Sequence, residues 1–156
     1  MYTWLRTTFN FLIASFSGFC VASVLHTQTV LQELSELDIA IGISHRLATT
    51  LKDFTGLLPS YGIILTIGFL ISFSVSYGLF KTLKWPLKWL YPVSGFVAII
   101  TIISLMYPIL NVTLLASARS MTGVGLQALA GVVAGLVFYK LSTRYRISND
   151  PIARRT

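Results

Sequence analysis

The stretch LPSYGIILTIGFLISFSVSYGLF, residues 58–80, contains no charged side chain and decides the fold of this chain. An α-helix needs about 20 mainly apolar residues to cross the hydrocarbon core of a bilayer. Three further stretches have a similar length and composition: residues 4–25, 89–110 and 123–142. A chain in lipid must satisfy its backbone groups internally, and a helix does so within one segment. The sequence therefore predicts an all-α integral membrane protein, a four-transmembrane-helix bundle.

Length and composition leave room for one membrane domain and little else. Charged residues make up 11% of the 156 residues, against about 25% in an average soluble domain. Four spans of about 20 residues use more than half of the chain. We therefore predict a single polytopic domain over residues 1–156, with an outer loop at 27–57 and a basic tail at 143–156.

The basic residues are distributed unevenly between the predicted loops. The net charge is +7, from 12 basic and five acidic residues. If the N-terminus is cytoplasmic, nine basic residues lie inside: Arg6, Lys81, Lys84, Lys88, Lys140, Arg144, Arg146, Arg154 and Arg155. The outer side then carries only Arg46, Lys52 and Arg119. This bias follows the positive-inside rule, so we predict that both termini are cytoplasmic and that the protein lies in a bacterial inner membrane.

The same distribution bears on the partners of the chain. A net positive charge gathered in the inner loops and the tail is explained by topology and by attraction to anionic lipids. We therefore expect membrane lipids as partners, with anionic lipid at the basic inner face, and no nucleic acid.

Small residues four apart recur on one face of three predicted spans. They are Ala14, Gly18 and Ala22 in the first span, Gly68, Ser72 and Ser76 in the second, and Gly131 and Gly135, a GxxxG pair, in the fourth. Such stripes let helix backbones approach closely in lipid. We therefore expect the first, second and fourth spans to pack together, with the third more exposed to lipid or to a partner. Homo-oligomerisation through one of the stripes is the alternative to packing within one chain.

The outer loop, residues 27–57, carries leucines at helical spacing with charges between them. This pattern predicts two short amphipathic helices on the outer membrane surface or over the bundle. Gly42 interrupts the pattern, and Gly56 and Pro59 are expected to end the second helix before the next span begins.

The outer side also carries a candidate polar cluster formed by Arg46, Asp53, Arg119 and Gln127. Arg119 directly precedes the fourth span, and charges at membrane depth usually face a partner or water. We expect Asp53, which lies two helical turns after Arg46, to be its partner. The alternatives are a snorkelling arginine among solvated loop charges, and an anion or lipid-headgroup site at a helix N-terminus.

Residues for metal or cofactor chemistry are sparse in this sequence. His26 and His45 both lie on the outer side, and spans that hold a haem usually place such residues deeper. We therefore predict no catalytic residue, no metal site and no cofactor. The sequence contains no HExxH, GxSxG, CxxC or glycine-rich phosphate loop, which are signatures of common enzyme classes.

Three classes of function remain after this reading. The first is a non-enzymatic accessory, scaffold or assembly subunit of a membrane complex, with a protein partner or a homo-oligomer in the membrane. The second is a small homo-oligomeric channel or transporter that uses the serine-rich face of the second span, Ser72, Ser74 and Ser76, and the outer polar cluster. The third is a membrane enzyme or lipid-headgroup binder at the outer polar cluster.

Overall fold

The computed structural model describes residues 2–35, 43–110 and 121–149, with side chains described at 4–31, 48–52, 54–106 and 121–143. Within these ranges the chain is helical except at Lys84, Trp85 and Pro86. The helices are α1 (Tyr2–Ser35), α2 (Ile43–Leu57), α3 (Ile63–Leu83), α4 (Leu87–Leu110) and α5 (Met121–Asn149). A π-helical turn, Leu58–Gly62, joins α2 to α3.

The described helices include four segments long and apolar enough to cross a membrane. They are Trp4–Leu31, Ala48–Leu83, Leu87–Met106 and Met121–Thr143. Each segment contains most or all of one predicted span, so the prediction of four apolar helices is confirmed at this level. Three of these segments extend beyond their predicted spans because the helices continue past the apolar stretches, and α4 continues as a helix to the predicted end at Leu110.

The segment between the first two spans differs from its prediction. α1 runs without a break to Ser35, so the first predicted surface helix, as far as it is described, is a continuation of the first span. Gly56 and Pro59 do not end the next helix, because helical conformation continues from Ile43 to Leu83. A proline inside an α-helix removes one hydrogen bond and clashes with the carbonyl four residues earlier. The wider π-helical turn accommodates Pro59 without ending the helix. Gly42 lies outside the described residues.

α2 packs against the face of α1 through one aromatic side chain. The ring of Phe54 lies 5.1 Å from that of Phe19 and 6.2 Å from that of Phe16, measured between centroids. Leu51 and Lys52, on the preceding turn, are exposed. α2 is therefore in contact with the bundle.

The expected packing order of the spans is wrong in one respect. The contact between α4, which is the third span, and α5 is the most extensive between any two described helices. α4 also packs on α3. The second span, which contains α3, is the most exposed of the four. Of its apolar stretch 22% is buried, whereas the corresponding shares in the other three spans are 39%, 39% and 44%. The reason is local, because Gly95 of α4 lies directly against the backbone of Gly131 in α5. The abundant Ile and Val of α4 did not make it peripheral.

One aromatic side chain marks the point where all four long helices meet. Phe73 of α3 stacks on Phe138 of α5, with centroids 4.9 Å apart and planes within 10°. Its ring also meets the edges of Tyr91 of α4 and Phe11 of α1, at 5.6 and 6.3 Å. Aromatic pairs in such geometries contribute beyond their buried area, so this cluster anchors the half of the bundle that contains the N-terminus.

Candidate functional site

Buried polar side chains gather at the opposite half of the bundle, where the second half of α1, the π-helical turn and α5 meet. Ser23, Thr27, Tyr61 and Gln127 are completely buried. His26 and Thr29 of α1 are nearly so, each 8% exposed. We call Ser23, His26, Thr27, Tyr61 and Gln127 the buried polar cluster.

Gln127 connects the three elements of this cluster. Its Nε2 donates a hydrogen bond to the backbone carbonyl of Ala22 in α1, at 3.0 Å. Its Oε1 accepts a hydrogen bond from the hydroxyl of Tyr61, at 3.3 Å. A polar group buried away from water is costly unless it is paired. The side chain of Gln127 therefore pins both α1 and the π-helical turn to α5.

Two threonine hydroxyls of α1 donate hydrogen bonds within their own helix. Thr27 Oγ1 donates to the carbonyl of Ser23 at 3.1 Å, and Thr29 Oγ1 donates to that of Leu25 at 2.8 Å. Ser23 Oγ is enclosed, and no described residue provides a hydrogen-bond partner for it. A buried hydroxyl of this kind is one place where a bound water or another polar group would be stabilised.

The chemistry available to the buried polar cluster is that of neutral hydrogen bonding. An amide, a phenol, hydroxyls and an imidazole can orient helices or bind a polar group. Within the described ranges, no three His, Cys, Asp or Glu side chains come together as metal ligands would. The lone Cys20 is partly exposed in α1.

The structure describes the side chain of only one of the four residues of the predicted outer polar cluster. Gln127 is the member whose side chain is described, and it lies in the buried polar cluster. Arg46 and Asp53 lie on α2, but their side chains, like the whole of Arg119, fall outside the described part of the chain. The predicted pair of Arg119 with Asp53 therefore stays a prediction. Of the two histidines, His26 is buried in α1, and the side chain of His45 is not among those described.

Several of the small residues on the predicted packing stripes lie where two helices approach closely. A Cβ atom on Gly18 would lie 2.8 Å from Cβ of Ala134 on α5, and one on Gly68 would overlap Ile102 of α4. Ser72 Oγ donates to the carbonyl of Ser94 in α4 at 2.7 Å. Ala14, Ala22 and Ser76 are buried.

The glycines of the fourth span make the closest of these contacts. A Cβ atom on Gly131 would overlap the carbonyl of Gly95, and one on Gly135 would overlap the carbonyl of Tyr91. The GxxxG pair therefore brings the backbone of α5 against the backbone of α4, within one chain.

Sequence reasoning missed Tyr61 as the partner of Gln127, and it missed the density of buried polar residues in the second half of α1. One signal was present, because Ser23, His26, Thr27 and Thr29 follow each other closely at the end of an apolar span. The position of Tyr61, two residues after Pro59, gave no such signal, since an interfacial tyrosine has the same sequence context.

Comparisons of the chain with protein-family models, with curated proteins and with solved structures found no match.

Proposed function

We propose that this chain is an integral membrane protein of the bacterial inner membrane, with both termini in the cytoplasm. We further propose that it acts as a non-enzymatic accessory, scaffold or assembly subunit of a larger membrane complex. Four helices of sufficient length and hydropathy support the first part. The excess of basic residues in the loops and tail assigned to the inside supports the orientation.

One observation carries the proposed role, namely that the described residues leave α1 and α3 only loosely packed against each other. These two helices make far fewer contacts than the pairs α1–α5, α3–α4 and α4–α5. A groove of about 450 Å³ lies between them. Its lining is formed by Leu12, Ser15, Phe16, Phe19, Leu58, Gly62, Ile63, Thr66 and Ile67. We call this feature the α1–α3 groove.

The shape of the α1–α3 groove favours a helix as its occupant. Ser15, Gly62 and Thr66 are small and less exposed, whereas Phe16 and Ile63 are 56% and 57% exposed beside them. Small residues flanked by large apolar ones are typical of surfaces where transmembrane helices pack closely, because packing rather than water exclusion drives association in lipid. A transmembrane helix of another protein, laid into this groove, would complete the packing of α1 and α3.

Purification in a mild detergent, followed by mass spectrometry, tests this role. The expected result is a foreign membrane protein in stoichiometric amount. Thr66→Phe fills the groove and should reduce its recovery at least tenfold. Thr101→Phe is the matched control, because both threonines donate to the carbonyl four residues earlier and Thr101 lies exposed on α4. Recovery of a homo-oligomer alone would favour a channel or transporter, and recovery of bound lipid alone a lipid-headgroup binder.

The channel or transporter alternative gains no support from the serines of α3. Ser72 and Ser76 donate to backbone carbonyls of Ser94 and Ser72, respectively. Ser74 donates to Leu70 and is exposed on another face. The three hydroxyls therefore do not form one continuous polar face that could line a path.

The third class, a membrane enzyme or lipid-headgroup binder, is favoured by one observation, the buried polar cluster. Ser23 Oγ lacks a described partner there, and Asp53 and Arg119 each lie eight residues before a member of the cluster, Tyr61 and Gln127 respectively. In this reading Arg119 binds an anion or forms a partly buried pair with Asp53. Removing one partner of a buried pair costs about 3–5 kcal/mol, whereas an exposed pair contributes about 0–1 kcal/mol. A double-mutant cycle of Arg119→Ala and Asp53→Ala separates these cases, because a real pair gives a double variant less destabilised than the sum.

A further inference from the structure

The short connection between α3 and α4 concentrates positive charge at one end of the bundle. Lys84 directly follows α3 in the left-handed conformation, at φ 56° and ψ 22°, and its N–H donates to the carbonyl of Phe80 at 3.0 Å. Trp85 and Pro86 then lead into α4, and the carbonyl of Pro86 accepts the N–H of Trp89 at 3.1 Å. The first N–H groups of a helix have no acceptor within that helix, and this end of the helix dipole is positive.

Three lysines surround this connection and are all exposed: Lys81, Lys84 and Lys88. Lys81 Nζ lies 5.0 Å from the centre of the Tyr77 ring, and Lys88 Nζ lies 5.9 Å from that of Trp89. The two acidic residues in the described ranges, Glu33 and Asp53, belong to the far part of α1 and to α2. No described carboxylate therefore neutralises the three ammonium groups.

The apolar surroundings of these lysines indicate where the positive charge lies. Trp85 and Trp89 are 63% and 65% exposed beside them. Tryptophan side chains prefer the boundary between hydrocarbon and headgroups. The ammonium groups of neighbouring lysines then lie at the level of the lipid phosphates, which they attract electrostatically.

We propose that the α3–α4 connection binds the phosphate of an anionic phospholipid from the leaflet at that end of the bundle. Lys81, Lys84 and Lys88 supply the charge, the positive end of the α4 dipole adds to it, and Trp85 and Trp89 lie against the upper acyl chains. Positive charge complementary to an anionic headgroup, set among exposed indole rings, distinguishes a lipid from a nucleic acid or an acidic protein as the occupant. This site lies away from the α1–α3 groove and does not depend on the proposed partner.

The test uses the full chain in detergent with equal amounts of phosphatidylglycerol and phosphatidylcholine of the same acyl chains. Native mass spectrometry counts the lipids retained. We expect at least a tenfold preference for phosphatidylglycerol at low ionic strength, and a smaller preference as the salt concentration rises. Lys81→Gln/Lys88→Gln, which leaves the left-handed Lys84 in place, should bring the preference close to parity. Lys81→Arg/Lys88→Arg should restore it.

The matched control is Arg6→Gln/Lys140→Gln, which removes the same charge from the same end of the bundle on α1 and α5. It should keep most of the preference. An equal loss in this control would overturn the proposal, because the net charge of that end, and not the connection, would then select the lipid. Full retention in Lys81→Gln/Lys88→Gln would also overturn it, as would binding of RNA or an acidic peptide at these lysines in preference to anionic vesicles.

Discussion

Gly95 of α4 and Gly131 of α5 touch through their backbones: a Cβ atom on either residue would overlap the carbonyl oxygen of the other. One helical turn further along, Gly135 lies against the carbonyl of Tyr91 in the same way. Glycine is needed here because of the close approach of two helices, and not because of an unusual backbone conformation. This contact holds the third and fourth spans together.

Replacing Gly131 with leucine should destabilise the protein, because the new side chain has no space between the two backbones. Overpacking typically costs about 1–3 kcal/mol, and a backbone contact leaves little room for relaxation. The melting temperature in detergent should fall by several degrees. Gly125→Leu, on the same helix, is the control, because a Cβ atom there would meet nothing within 4 Å. Equal melting temperatures for the two variants would contradict the observed α4–α5 contact.

Replacing Gln127 with leucine should loosen the junction of α1, α5 and the π-helical turn. The variant loses the hydrogen bonds to Ala22 and Tyr61. Hydrogen bonds between transmembrane helices contribute about 0.6 kcal/mol on average and up to about 1.7 kcal/mol, so the free energy of unfolding should fall by about 1–3 kcal/mol. Tyr61→Phe should cost less, because it removes one bond only.

A double-mutant cycle provides the check on this junction. In the background of Gln127→Leu, Tyr61→Phe should have almost no further effect on unfolding in detergent. Strictly additive effects would mean that the 3.3 Å contact between the two side chains contributes no stability.

The orientation predicts which positions an impermeant thiol reagent can reach in intact cells. In a Cys20→Ala background, Ser35→Cys should be labelled from outside, because it follows the first span. Lys84→Cys should be labelled only after lysis, because it lies between Lys81 and Lys88 in the basic connection assigned to the inside. Labelling of position 84 in intact cells would reverse the assigned topology.

The sequence was sufficient to predict four apolar helices. An apolar stretch of about twenty residues in lipid must satisfy its own backbone hydrogen bonds, and a helix does so within one segment. It also identified Gly131 and Gly135 as small residues on one face of a helix. Their contact surface on α4 could not be predicted, since a stripe indicates close approach and does not name the partner. The small residues Ser94, Gly95 and Ala98 indicate that α4 can approach another helix, whereas its high Ile and Val content favours exposure to lipid, and the sequence does not show which effect dominates.

The π-helical turn shows a second limit of sequence reasoning. Gly56 and Pro59 normally indicate the end of a helix, yet here the helix continues because one wider turn accommodates the proline. Tyr61 then points into the bundle and reaches Gln127, a contact between residues 66 positions apart. Long-range pairs of this kind depend on how the helices are arranged, and local patterns do not contain that information.

Photocrosslinking from the α1–α3 groove tests the central claim most directly. A photoreactive phenylalanine analogue is placed at Ile67, which lines the groove, or at Val97, which is similarly exposed on α4. If the chain is an accessory subunit that seats a foreign helix, position 67 should crosslink to a transmembrane segment of another protein. Position 97 should crosslink to lipid, and Thr66→Phe should abolish the crosslink from position 67. Crosslinks from position 67 to lipid alone or to a second copy of the chain would contradict the account.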